Sequence, residues 1–166
     1  MDDFTIIKIK LSQLPDEKAL RERVLVPLFQ KMKFGDVTLT HGSAEDGKDI
    51  VFYSEDDTKE RLYTAIVAKT GNISGGASKK ASHKERTHLL DNILTQVRQA
   101  FSIPYNAVAT KRKERISRVW VVTNGTIKPA PRRHIAEGLD APLNVYLKFI
   151  EGNQLAELIQ KYWPKF

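Results

Sequence analysis

Hydrophobic and polar residues alternate over Ile7-Lys8-Ile9-Lys10-Leu11, a period of two that predicts a short strand across Phe4 to Leu11, broken at Ser12 to Pro15. From Pro15 the period lengthens. Leu20, Val24, Leu28 and Met32 fall on one helical stripe behind the acidic opening Pro15-Asp16-Glu17, and Gly35 stops the helix. Val37 to Thr40 is a short strand, followed by the turn-rich run His41 to Lys48 and the apolar run Ile50 to Tyr53. After the polar connection Ser54 to Glu60, Leu62 to Lys69 forms a further strand that should pair antiparallel with Ile50 to Tyr53. Gly71, Gly75 and Gly76 lie in a Ser-containing loop through Lys80.

The helical period returns from Ser82 with Leu90, Ile93, Leu94, Val97, Ala100 and Phe101, and ends before Pro104. A linker rich in base leads to Ile116 to Thr123, whose near-continuous apolar run reads as a strand buried on both faces. Asn124-Gly125 turns it, Pro129 to Leu139 is a helix, Leu143 to Ile150 a strand, and Gln154 to Tyr162 a last helix. The order is helix, three strands, helix, strand, helix, strand, helix, which implies an α/β domain with a mixed sheet flanked by helices. Residues 1–14 read as a strand-like extension or linker and residues 15–166 as one domain, a size that buries a core without metal or disulfide staples.

The net charge of +7 divides unevenly. Residues 1–60 carry 9 basic and 13 acidic side chains, a net of −4, whereas residues 61–166 carry 18 and 7, a net of +11. The base is concentrated in Lys79, Lys80, Lys84 and Arg86, in Lys111, Arg112, Lys113, Arg115 and Arg118, and in Lys128, Arg132, Arg133 and His134. Any one cluster is an ordinary solvated surface; three with few acids between them point to a polyanionic partner, most commonly nucleic acid. The Gly-rich loop with Ser74, Lys79 and Lys80, the helix start with Lys84 and Arg86, and the Lys111-Arg112 cluster are the candidate phosphate contacts. No apolar run reaches membrane-spanning length and the MDDF start lacks a signal-peptide n-region, so a cytoplasmic protein is expected.

There is no Cys, which removes thiolate zinc sites, iron–sulfur clusters and cysteine nucleophiles. His83 and His88 are five apart and off-face for a helical metal pair. Oxygen chemistry remains. In the expected hairpin, Asp49 at the start of one strand and Lys69 at the end of the other share one end of the sheet, with Glu45 and Asp46 in the turn just before. An acid and an amine so placed suit a hard divalent cation and an attacking water; they also suit an ordinary salt bridge.

The blocks Gly42-Ser43-Ala44-Glu45-Asp46-Gly47-Lys48-Asp49-Ile50-Val51, Ile66-Val67-Ala68-Lys69 and Val121-Val122-Thr123-Asn124-Gly125, with the closing Phe149-Ile150-Glu151-Gly152-Asn153-Gln154-Leu155, resemble in order and spacing the Mrr-type restriction endonuclease family, a branch of the PD-(D/E)xK nuclease superfamily. The resemblance implies a restriction-endonuclease-like fold and Mg2+- or Mn2+-dependent hydrolysis of DNA phosphodiesters, as in a restriction or defence effector. A homodimer, or a place within a larger multidomain protein or defence complex, accompanies such an activity. Asp49 and the Ala68 carbonyl would be metal ligands, Glu45 a further one, and Lys69 the residue that orients water and offsets charge on the phosphate. The chain departs from the family at Val67, where relatives carry Glu, Asp or Gln, and at Gln30, in the helix region where relatives often place Glu. With those acids absent, the alternative is a catalytically degenerate nuclease fold acting as a DNA-binding or sensor module.

Overall fold

Every position from Tyr63 to Ala68 is buried, which a strand achieves only when both faces of its sheet are covered. In the computed structural model, which describes residues 2–40, 46–74 and 83–166 (side chains from residue 88 in the last stretch), this run belongs to the central strand. The elements in chain order are α1 (Asp3–Ser12), α2 (Glu17–Ala19), a π-helical stretch (Leu20–Leu25), α3 (Val26–Lys31), β1 (Gly35–Leu39), β2 (Ile50–Glu55), β3 (Arg61–Lys69), α4 (His83–Ser102), β4 (Tyr105–Asn106), β5 (Lys113–Glu114), β6 (Ile116–Thr123), α5 (Pro129–Glu137), a 3-10 turn (Leu143–Tyr146), β7 (Leu147–Ile150) and α6 (Gly152–Tyr162). Five strands form one sheet in the order β1-β2-β3-β6-β7. The first three are antiparallel, and β3-β6-β7 are parallel. This is the mixed α/β architecture expected from the order of elements.

Alternate side chains of β3 divide between two cores. Ala65 and Val67 face Ile93, Val97 and Ile135, whereas Ile66 and Ala68 face Leu20, Leu25, Leu28 and α6 residues Leu155 and Ile159. Each fully buried Leu or Ile contributes about 2–3 kcal/mol of apolar transfer free energy. Phe34 stacks on Phe52 at 4.2 Å, and Trp120 meets Phe52 edge-on at 5.4 Å, so Trp120 belongs to this second core.

Three sequence expectations change. Phe4 to Leu11 is helix α1, capped by Asp2 accepting from the Thr5 amide; its Ile7 and Leu11 are buried against the second core. The two-residue alternation is confined to five positions, and burying Ile7 and Leu11 (i, i+4) on one helical face satisfies the same pattern. Leu143 to Ile150 begins as a 3-10 turn and becomes strand only at Leu147. The base-rich linker contains a hairpin, β4 paired with β5.

Candidate functional site

The continuous helical rod over residues 17–31, made of α2, the π-helical stretch and α3, carries Pro27 in its interior, where a proline lacks an amide donor and crowds the carbonyl four residues back. The backbone there widens into the π-helical stretch, and the Val26 amide bonds to Arg21 O, five residues back. Asp16 caps the start, its carboxylate accepting from the Ala19 amide at 2.7 Å. Glu17 and Arg21, four residues apart, therefore sit on the first turns of a helix packed against the sheet through Leu20, Val24 and Leu28.

The β2 and β3 register pairs Ile50 with Ile66, and the Asp49 amide extends it by donating to Ile66 O at 2.8 Å. Asp49 thus reaches the end of β3 as expected, but its carboxylate does not pair with Lys69. Oδ1 accepts from Arg21 Nη1 at 2.7 Å and Oδ2 from the buried Ala68 amide at 2.7 Å. Lys69 Nζ instead lies 3.7 Å from Glu17 Oε1. Two acids and two bases from helix and sheet meet at one sheet end, with Asp49 a tenth exposed and Arg21 about a fifth (10% and 21%).

The end of β3 is held in position by the block after β6. Asn124 Oδ1 accepts from the Gly71 amide at 2.8 Å, and Thr123 Oγ1 donates to Gly71 O at 2.6 Å. Asn124 also donates to Leu11 O at 2.8 Å, tying α1 to the same corner. On the other side the turn before Asp49 lies tight on α4: Gly47 has φ +78°, and a Cβ there would stand 2.1 Å from Gln96 O. Glycine is required at that position. Lys48 is buried (2% exposed) and donates to Asp46 O at 3.1 Å. Burial pushes its ammonium below the ordinary lysine range, and the nearby Asp46 charge partly offsets the shift.

Among the expected site residues, Asp49, Ala68 and Lys69 are brought together, while Glu45 lies outside the described residues, as do Lys79 and Lys80 and the side chains of Lys84 and Arg86. Ser74 is half-buried beside Ile73, which bridges to Ile127. Lys111 and Arg112 are exposed on the connection between β4 and β5. Arg132, from the third basic cluster, is engaged structurally, donating to Glu151 at 3.0 Å and to Ile127 O at 3.1 Å. Val67 is fully buried in the core against α4. Gln30 is exposed on α3, at the opposite end of the helical rod from Glu17.

Glu17 and Arg21 were legible only as a first-turn acid and a base one turn later. Their partners are 52 and 28 residues away in the chain, and no local pattern encodes that contact.

Among the described residues no three His, Cys, Asp or Glu side chains cluster. Asp49 and Glu17 are nevertheless two carboxylates at one corner, the number with which magnesium is commonly held alongside water and phosphate. A carboxylate offers about four lone-pair positions, and Asp49 uses two, so the donor set fits a hard cation, with the Arg21 charge as its competitor.

The fold and this corner define a mixed α/β domain with an acid–base quartet at the end of its central hairpin. Among solved structures, the chain is similar to one described as "MspJI Restriction Endonuclease in Complex with 27-mer Oligonucleotide", at 16% identity and a TM-score of 0.41. The match covers 94% of this chain and 30% of that one. No protein-family model and no curated protein matches. No helix among the described residues is long and apolar enough to cross a membrane.

Proposed function

We propose that this domain hydrolyses DNA phosphodiester bonds with the help of Mg2+ or Mn2+ at the sheet end formed by Asp49, Lys69 and Glu17. The observation that carries this reading is Glu17. It restores a helix-borne acid beside Lys69, the component that Gln30 left missing from the motif set. Asp49, Glu17 and the Ala68 carbonyl would hold the cation, which when bound lowers the pKa of a water and offsets charge on the phosphate. Asp49 is held for this by its bond from the Ala68 amide. Lys69, oriented by Glu17, would stabilise the charge that develops as water adds to phosphorus and the ester P–O bond breaks.

The net of +11 over residues 61–166, with Lys111, Arg112, Lys113, Arg115 and Arg118 all exposed, supports a DNA partner bound through its phosphates. One such site cuts one strand, so cleavage of a duplex calls for a homodimer or for a larger assembly of the kind found in defence complexes.

The test is cleavage of plasmid DNA with Mg2+ or Mn2+ by the native chain and by Asp49→Ala, Lys69→Ala and Glu17→Gln. Loss of cleavage in all three is expected; undiminished cleavage in both Asp49→Ala and Lys69→Ala rejects the site. A second reading, a DNA-binding or sensor module on the same fold, is favoured by the burial of Val67. DNA retention in EDTA with no metal-dependent hydrolysis selects it.

A further inference from the structure

We infer that Arg21 is the resident counterion of Asp49, and that the divalent cation and a DNA phosphate load this site together, each raising the affinity of the other. The inference rests on the metal-dependent reading above and adds how that site is regulated.

Arg21 Nη1 lies 2.7 Å from Asp49 Oδ1, and the pair is largely screened from water. A dication on the same carboxylate would meet the guanidinium charge at a few ångströms with little solvent between them. Arg21 has to relieve that repulsion by its position or its partners. It must turn away or gain an anion. Arg21 Nε is buried and has no hydrogen-bond partner among the described residues, and Nη1 to Asp49 is the bond made by its side chain there. Such a fork has spare donors of the geometry that matches a phosphate. The neighbouring Glu17 lies 3.7 Å from Lys69 and is itself a ligand of the cation in that reading, so it is no ready second partner for Arg21. A phosphodiester arriving at this corner supplies what the cation alone lacks: an anion that takes the guanidinium and frees Asp49 Oδ1. Linkage then makes the coupling reciprocal.

The experiment measures Mn2+ binding to the full chain by electron paramagnetic resonance, with and without a phosphorothioate duplex that resists cleavage. Wild type should bind Mn2+ at least tenfold more tightly with the duplex. Arg21→Gln should bind Mn2+ at least tenfold more tightly than wild type without DNA, and the effect of the duplex should shrink. A merely structural role would move affinity the other way. Arg21→Lys, which keeps the charge, should stay close to wild type and guards against a folding failure of the glutamine variant. Equal Mn2+ affinity with and without duplex in wild type, unchanged in Arg21→Gln but lost in Asp49→Ala, overturns the coupling and leaves the metal site standing. No Asp49-dependent Mn2+ binding under any condition overturns both.

Discussion

Replacing Asp49 by alanine removes the acceptor of two 2.7 Å hydrogen bonds and strands two groups at once. The Ala68 amide is buried, and a buried donor left without a partner costs about 1–3 kcal/mol. The Arg21 guanidinium would lose its bonded acceptor, and breaking a fully buried pair costs about 3–5 kcal/mol. Arg21 retains about a fifth of its exposure (21%) and can partly rehydrate, which removes most of that second cost. The expected loss is therefore about 3 kcal/mol, or a Tm lower by roughly 6–12 °C for a domain of this size. Asp49→Asn keeps the acceptor for Ala68 but not the charge, and should lose about 1–2 kcal/mol. Urea unfolding at pH 7, followed by a cycle with Arg21→Met, isolates the pair: a coupling of about 1–3 kcal/mol is expected between residues in contact. An Asp49→Ala variant within about 0.5 kcal/mol of wild type, or a cycle with no coupling, would refute the described pairing.

Four further outcomes follow from the same structure. Glu17→Gln removes a half-exposed ion pair worth under about 1 kcal/mol, so cleavage should fall at least tenfold while Tm barely changes; equal losses in both would reduce Glu17 to a structural residue. Gly47→Ala forces an unfavourable positive φ and a clash with Gln96 O, and should cost about 2–3 kcal/mol in denaturant unfolding; wild-type stability would contradict the packing of that turn on α4. Lys48→Met should stabilise the domain by about 1 kcal/mol at pH 7, because the folded chain there bears the cost of a buried ammonium. Its folded pKa lies below the unfolded value of 10.5, so as pH rises through that window the folded state sheds the proton first, wild type gains stability, and the advantage of the variant shrinks; an advantage that grows instead would reverse the assignment. Finally, duplex binding in EDTA that neutralises about five phosphates should weaken with salt at a log–log slope of roughly −4 to −5, and a flat response would exclude a phosphate interface.

Local sequence pattern determined most of the scaffold. The near-continuous apolar run Ile116 to Thr123 read as a strand inside the sheet, where β6 lies between β3 and β7, and the Leu20, Val24, Leu28 stripe was helical whatever surrounded it. Asp49 and Lys69 were legible as neighbours because hairpin register is set by a short connection. Tertiary structure decided what those two residues touch. Arg21 reaches Asp49 and Glu17 reaches Lys69 because a helix widened ahead of Pro27 lies across the end of the sheet, a placement fixed by packing against Ile50, Ile66 and Ala68. Five residues of weak alternation could not decide between strand and helix for Phe4 to Leu11; contact with α6 and the Asp2 cap did. Periodicity reports which side of an element is apolar, and so it finds cores well. Which charges face one another across elements depends on distances between segments far apart in the chain, and only the folded packing sets those.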